Sequence, residues 1–153
     1  MPNTKIVFAS DHAGFSLKNK LMSILAEEGY EVSEVGTFSE ESCDYPIFAE
    51  KACHVVLEKR VDLAILVCGT GVGMSIAANK INGIRAACCS DIFSAKYTRL
   101  HNDANVLCIG ARVLGEGLAY ELVKIFVDTD YEGGKHARRV AMLSDLEEKQ
   151  KTL

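Results

Sequence analysis

Five short apolar runs, each followed by a polar-punctuated segment, restrict the fold of this chain more than any other feature. They are KIVFAS (5–10), YEVSEVG (30–36), DLAILVCG (62–69), IRAACCS (84–90) and NVLCIGA (105–111). After the first, Leu17, Leu21, Ile24 and Leu25 fall at i, i+4, i+7 and i+8, and Gly29 supplies a helix stop. Pro46 suits the first turn of a second helix, in which Phe48, Ala52, Val55 and Val56 repeat the spacing. Further helices are predicted over 73–82, 91–101 and 115–127, the last carrying Leu118, Leu122 and Phe126. A final segment, 135–150, is highly charged and only weakly amphipathic. Parallel strands need crossover connections, so this alternation predicts an α/β fold: a five-stranded parallel sheet with helices on both faces. Such sheets bind ligands at the carboxyl ends of their strands. Chemistry is therefore expected just after positions 10, 36, 68, 90 and 111.

At 153 residues and 48% hydrophobic, the chain has enough apolar material for one domain spanning 1–153. A net charge of −4 argues against a nucleic-acid-binding surface, although local clusters of Lys and Arg can still hold a small anion. The longest uncharged stretch, 63–79, is 17 residues and is broken by three glycines, so no membrane span is expected. MPNTK leads directly into IVFAS with no signal-peptide segment between them, which predicts a cytoplasmic protein. The six cysteines include no metal-type C-x-x-C pair. Cys68, Cys88, Cys89 and Cys108 read as reduced thiols in or at the end of core strands.

At the tip of the first strand stands SDHAGF, with Asp11 beside His12 and Gly14 turning the chain into a helix. Asp11 serves there either as a helix cap or as part of a catalytic pair with His12. The third strand ends in CGTGVGM, with glycine at 69, 71 and 73. Successive glycines can aim several main-chain N–H groups into one concavity, reinforced by the positive end of the helix that follows, and an anion belongs there. The G-x-G-x-x-G dinucleotide spacing fails, because Ile76 stands where the third glycine would be, and no Gly-Lys-Ser/Thr follows. Asp91, at the end of the next strand, reads as a cap. Cys68, at the mouth of the glycine turn, is either a nucleophile or base, or a core cysteine. In RLHNDAN (99–105) a turn explains Asn102 and Asp103 and leaves His101 unexplained. Lys135, His136, Arg138 and Arg139 form either a solvated face or a phosphate-binding cluster beside Gly133-Gly134.

With these residues assembled, the chain closely resembles the ribose 5-phosphate isomerase B family, which includes the galactose 6-phosphate isomerase subunits. The pieces that carry the resemblance are SDHAGF, GTFSEESCDYP, CGTGVGMSIAANK, GIRAA, RLHNDANVL, IGARVLG and YEGGKHARRV, in family order along nearly the whole length. The resemblance implies a three-layer Rossmann-like fold. It also implies a homodimer or a tetramer of dimers, with active sites shared between subunits and the C-terminal helix contributing to the dimer. The substrate would be a small phosphorylated sugar, with no metal and no cofactor. Cys68 matches the base that moves a proton between C1 and C2, with Thr70 beside it among the catalytic positions. Gly69, Gly71, Val72 and Gly73 match the loop that holds the enediolate oxygens. His101 matches the acid that opens the furanose ring, and Asn102 a substrate-hydroxyl contact. Asp11 and His12 match substrate-binding positions; Arg112, Lys135 and Arg139 match ligands of the sugar phosphate. Some relatives lack the cysteine and use a glutamate where this chain has Met74, so the chain fits the cysteine-base branch. Lys135 stands where many relatives have arginine, and lysine lacks the bidentate fork. Isomerisation of a six-carbon phosphosugar, a non-catalytic phosphosugar-binding module and, behind both, a nucleotide-binding domain are the competing expectations.

Overall fold

In the computed structural model, which describes residues 3–153, strands and helices alternate as the apolar periodicity predicts. The strands are β1 (Lys5–Ser10), β2 (Glu31–Glu34), β3 (Leu63–Cys68), β4 (Ala86–Cys88) and β5 (Val106–Gly110). They form one parallel sheet in the order β2-β1-β3-β5-β4. The helices are α1 (Phe15–Glu27), α2 (Tyr45–Leu57), α3 (Val72–Asn79), α4 (Ile92–Asn102), α5 (Glu116–Asp128) and α6 (Ala137–Gln150), the last preceded by a 3₁₀ turn, Gly134–His136.

Side-chain alternation along the three inner strands divides the core into two layers. Ile6, Phe8, Ile65, Val67, Leu107 and Ile109 face α1, α4 and α5, whose Leu21, Leu25, Ala95, Leu122 and Phe126 complete one apolar cluster. Val7, Ala9, Ala64, Leu66, Val106 and Cys108 face α2 and α3, which supply Ala52, Cys53, Val56, Met74 and Ala78. From β1 the chain moves outward to β2, then returns across the other face through α2 to β3. The direction of travel reverses between β1 and β3, and the carboxyl ends of these two strands flank the crevice where sheets of this kind hold ligands.

Both edge strands are shorter than the apolar runs suggest, because each has a neighbour on one side only. β4 pairs with β5 over Ala86–Cys88 alone, and Cys88, expected as a core thiol, is exposed at this edge. The helix predicted to reach 82 stops at Asn79, whose amide group turns away to bond both main-chain groups of Ala86, each at 2.9 Å. Asp91 caps α4 as predicted, accepting the Ser94 N–H at 2.7 Å.

Gly14 precedes α1 with an ordinary backbone conformation, so the turn itself does not demand glycine. A close approach does: a Cβ at this position would sit 2.2 Å from the Val67 carbonyl oxygen. This contact lets α1 start directly over the end of β3. Gly14→Ala is predicted to lower stability by about 2 kcal/mol in urea unfolding, because the collision is with main chain that cannot rotate away. Gly117→Ala, where a Cβ meets nothing within 4 Å, should leave stability unchanged or raise it by up to about 1 kcal/mol. Equal effects from the two substitutions would show that the approach of α1 to β3 does not set the position of α1.

Candidate active site

β3 ends at Cys68, which is 4% exposed, and the chain turns through Gly69 and Thr70 into Gly71. Gly71 has φ +82°, and a Cβ there would lie 2.9 Å from the Ile109 carbonyl carbon and 3.0 Å from the Cys88 sulfur. Only glycine satisfies both the conformation and the space. The turn brings the Gly71 N–H onto the Cys68 Sγ at 3.1 Å, and the Val72 N–H donates to the Thr70 hydroxyl at 3.2 Å. α3 begins at Val72, so unpaired main-chain N–H groups and the positive end of the helix share this corner with the sulfur.

Main-chain bonds attach the neighbouring strand ends to this turn. The Asp11 N–H donates to the Val67 carbonyl at 3.2 Å, the Ala111 N–H to the Cys68 carbonyl at 2.8 Å, and the Arg112 N–H to the Gly69 carbonyl at 3.0 Å. The Arg112 guanidinium consequently lies over Gly69, where a Cβ would be 3.3 Å from its Nη1. The Asp11 carboxylate is buried and accepts the Gly14 N–H at 3.1 Å, which braces the turn before α1 without capping the first-turn amides of the helix. His12 accepts the Cys43 N–H on Nδ1 at 3.2 Å. In the neutral ring that bond leaves the proton on Nε2, which makes Nε2 the donor. Asp11, His12, Cys68, Gly69, Thr70, Gly71, Val72, Gly73 and Arg112 are thus gathered at one end of the sheet.

Three further residues shape this end. Tyr45 opens α2 and covers the start of α3: a Cβ at Gly73 would lie 2.8 Å from the Tyr45 Cζ. Cys43 supplies the N–H that orients His12. Lys18 is fully buried, and its ammonium bonds the Glu34 carboxylate and, at 2.6 Å, the Thr37 carbonyl, tying the loop that leads to Cys43 and Tyr45 down onto α1. Its sequence signal was a charge three residues before Leu21 on the apolar stripe of α1; Cys43 and Tyr45 lie within GTFSEESCDYP, a piece of the resemblance that assigned neither a role.

The remaining expected site residues lie elsewhere. α4 runs back from the carboxyl end of β4 toward the amino end of β5, about 16 Å over its 11 residues. His101 and Asn102 occupy its last turn, at the opposite end of the sheet from Cys68. There the His101 ring stacks on His136 with centroids 4.0 Å apart, and Tyr97 meets it edge-on at 5.0 Å. The Glu132 carboxylate lies 3.9 Å from His101 Nε2, and its main-chain N–H donates to the Leu100 carbonyl at 3.1 Å. Burial, followed by the nearby His101, Lys135 and Arg139, holds the His136 pKa below its ordinary value against the opposing pull of Glu132. A cavity of about 350 Å³ is lined by His101, Asn102, His136, Arg139, Val140 and Leu143. His101, Glu132 and His136 offer ligand atoms within 4.8 Å of one another, the one metal-type cluster among the described residues. No metal-ligand spacing in the sequence pointed to it, because its members come from separate elements.

Residues 6–143 match the family described as Ribose/Galactose Isomerase. The chain belongs to this family. It is 48% identical to ribose-5-phosphate isomerase B of Escherichia coli over 95% of this chain and 97% of that protein. The structure superposes on ribose-5-phosphate isomerase B of Clostridium thermocellum with a TM-score of 0.94 at 44% identity, covering 96% of this chain and 99% of that one. The corresponding protein of Thermotoga maritima gives 0.91 at 46% identity, covering 94% and 99%. The Rossmann-like three-layer architecture expected from the resemblance is the one observed.

Within this isomerase fold all six cysteines are free thiols. Burial, with Glu50 adding to it, pushes the Cys53 thiol up to about 12. Burial, then Asp91 and Cys88, pushes Cys89 up to about 11. Burial raises Cys108 well above the ordinary thiol value, and raises Cys88 with a contribution from the Cys68 sulfur. In all four the shift favours the protonated thiol over the thiolate. Cys68 differs in its address, at a strand end and against a main-chain N–H. At pH 8 the thiolate fraction of Cys53 is on the order of one in ten thousand, and that of Cys89 about one in a thousand. Iodoacetamide at that pH is therefore predicted to leave Cys53, Cys89 and Cys108 unlabelled in the folded protein and to label them in urea, as read by peptide mass spectrometry. Labelling of Cys53 in the folded state would contradict its burial.

Proposed function

We propose that this chain is an aldose-ketose isomerase that interconverts ribose 5-phosphate and ribulose 5-phosphate through an enediolate, in cytoplasmic pentose phosphate metabolism. The relatives above, named for that reaction, support the substrate. The observation that carries the reaction type is the Cys68 sulfur and the main-chain N–H groups of residues 69–73 within a single turn, with the Gly71 N–H 3.1 Å from Sγ.

A carbon-bound proton next to a carbonyl is a poor acid, and a thiolate alone removes it slowly. The loop amides lower the barrier by receiving the charge that moves onto oxygen, each well-placed donor contributing roughly 3 kcal/mol in the transition state. In this scheme the Cys68 thiolate takes the proton from C2 of the aldose and returns it to C1, while a proton moves from the C2 hydroxyl to O1. Thr70 and the amides of Gly69, Gly71, Val72 and Gly73 surround the planar intermediate. His101 donates a proton to the ring oxygen as the furanose opens. Asp11, His12 and Asn102 hold sugar hydroxyls. Arg112, Lys135 and Arg139 hold the phosphate, whose binding far from C1 and C2 keeps the reacting edge in register.

The same scheme requires a second copy of the chain, because Cys68 and His101 stand at opposite ends of one sheet. We place His101, Asn102, Lys135 and Arg139 in the site of the partner, in a homodimer or a tetramer of dimers. Exposed apolar side chains support such a contact: Met142, Leu143 and Leu146 on α6, Phe93 on α4, and Val72 and Ile76 on α3. The whole chain then acts as one sugar-phosphate isomerase domain, with α6 lying in the interface. A second reading, isomerisation of a six-carbon phosphosugar, follows from the galactose half of the family description.

Turnover on ribose 5-phosphate is predicted to exceed that on allose 6-phosphate and galactose 6-phosphate; the reverse order selects the second reading. Cys68→Ala should abolish isomerisation and C2 proton exchange in deuterated water while phosphosugar binding persists. Wild-type exchange by that variant would remove Cys68 from the mechanism. Cys68→Ala and His101→Asn chains, each inactive alone, should recover about one quarter of wild-type activity when unfolded together and refolded in equal amounts, since half the dimers are mixed and each mixed dimer has one complete site. No recovery would place both groups in one chain's site.

A further inference from the structure

We propose that His101, Glu132 and His136 form a binding site for a divalent transition cation of the Zn²⁺ type, and that the cation and the phosphosugar exclude one another. Two imidazoles and one carboxylate are the donor set that Zn²⁺ takes with an open fourth position. The three ligand atoms lie within 4.8 Å of one another. Tetrahedral bonds of about 2.0 Å bring ligand atoms to about 3.3 Å, so closure needs a shift of about 1.5 Å at most. Part of it can come from Glu132, which is half-exposed at its carboxylate while its main chain is fixed to α4 through the Leu100 carbonyl. The two imidazoles stack 16° apart, on the last turn of α4 and in the 3₁₀ turn before α6, and at least one must rotate out of the stack to turn its in-plane lone pair onto a shared cation.

Imidazole binds metal in its neutral form, through the lone pair of an unprotonated ring nitrogen. The nearby Lys135 and Arg139 oppose a dication, and the Glu132 carboxylate offsets that positive charge in part. The adjoining cavity of about 350 Å³ leaves room for the water that completes the coordination shell. A cation on His101 occupies the nitrogen that would otherwise deliver a proton to the sugar. The exclusion of substrate rests on the function proposed above; the binding itself does not.

The test is Zn²⁺ titration in competition with a chromophoric chelator, on the wild type and on Glu132→Gln, His136→Gln and Cys68→Ala. The wild type and Cys68→Ala should each bind one equivalent with equal affinity. Glu132→Gln, an isosteric change at an exposed position, and His136→Gln should each weaken binding at least about tenfold. Co²⁺ in the wild type should show d–d absorption without a thiolate charge-transfer band. The proposal is overturned by the absence of stoichiometric binding at tens of micromolar Zn²⁺, by wild-type affinity in both glutamine variants, by a loss confined to Cys68→Ala, or by a thiolate band. Turnover takes no part in these readings, so a failure of the isomerase assignment would leave them intact.

Discussion

Everything at the carboxyl end of the sheet depends on the main-chain hydrogen bonds that fasten three strand ends to one another. The carbonyls of Val67, Cys68 and Gly69 are taken up by the N–H groups of Asp11, Ala111 and Arg112. With those acceptors occupied, the turn after β3 is held on both sides, and it brings the Gly71 N–H back onto the sulfur. Main-chain hydrogen bonds of this kind do not depend on side-chain identity, so the corner is held by the backbone itself. A thiol in a flexible loop would spend its time elsewhere, and the entropy of fixing it would add to every turnover.

The two core layers give that corner its rigidity. β3 and β5 are buried on both faces, and each apolar residue on them meets a helix above or below. The site end is less apolar. Its loop from β2 is held by the ammonium of Lys18, a buried cation whose partners are one carboxylate and one carbonyl. Removing one member of such a set leaves the others unsatisfied, and this makes the loop geometry all-or-none. Tyr45 and the Cys43 N–H are thereby delivered to fixed places beside α3 and His12.

Periodicity alone made the architecture legible, because apolar spacing reports which faces are buried and alternation of elements leaves a parallel sheet as the consistent arrangement. Strand order at the far edge was beyond it: β5 inserts between β3 and β4, and no local pattern encodes that choice. The glycine turn was legible for a physical reason, since residues 69, 71 and 73 surrender side chains where main chain must come close. Gly14 was legible as a turn residue, whereas its constraint is a neighbouring strand's carbonyl, which only the folded chain supplies. The contacts of Tyr45 with Gly73 and of Glu132 and His136 with His101 join distant parts of the chain through side chains of ordinary spacing. Nothing in a single sequence marks such meetings.

The distance between the two ends of the sheet has a kinetic meaning for the nascent protein. Under the shared-site proposal, a chain leaving the ribosome folds around its own core yet carries the sulfur and the ring-opening imidazole at opposite poles, each completed only by a second copy. If copies pair as the uncovered helix faces suggest, chain concentration enters the rate law, and a cell making little of this protein would have disproportionately little of its activity. Gene dosage and dilution at division would then control output more steeply than they control protein level.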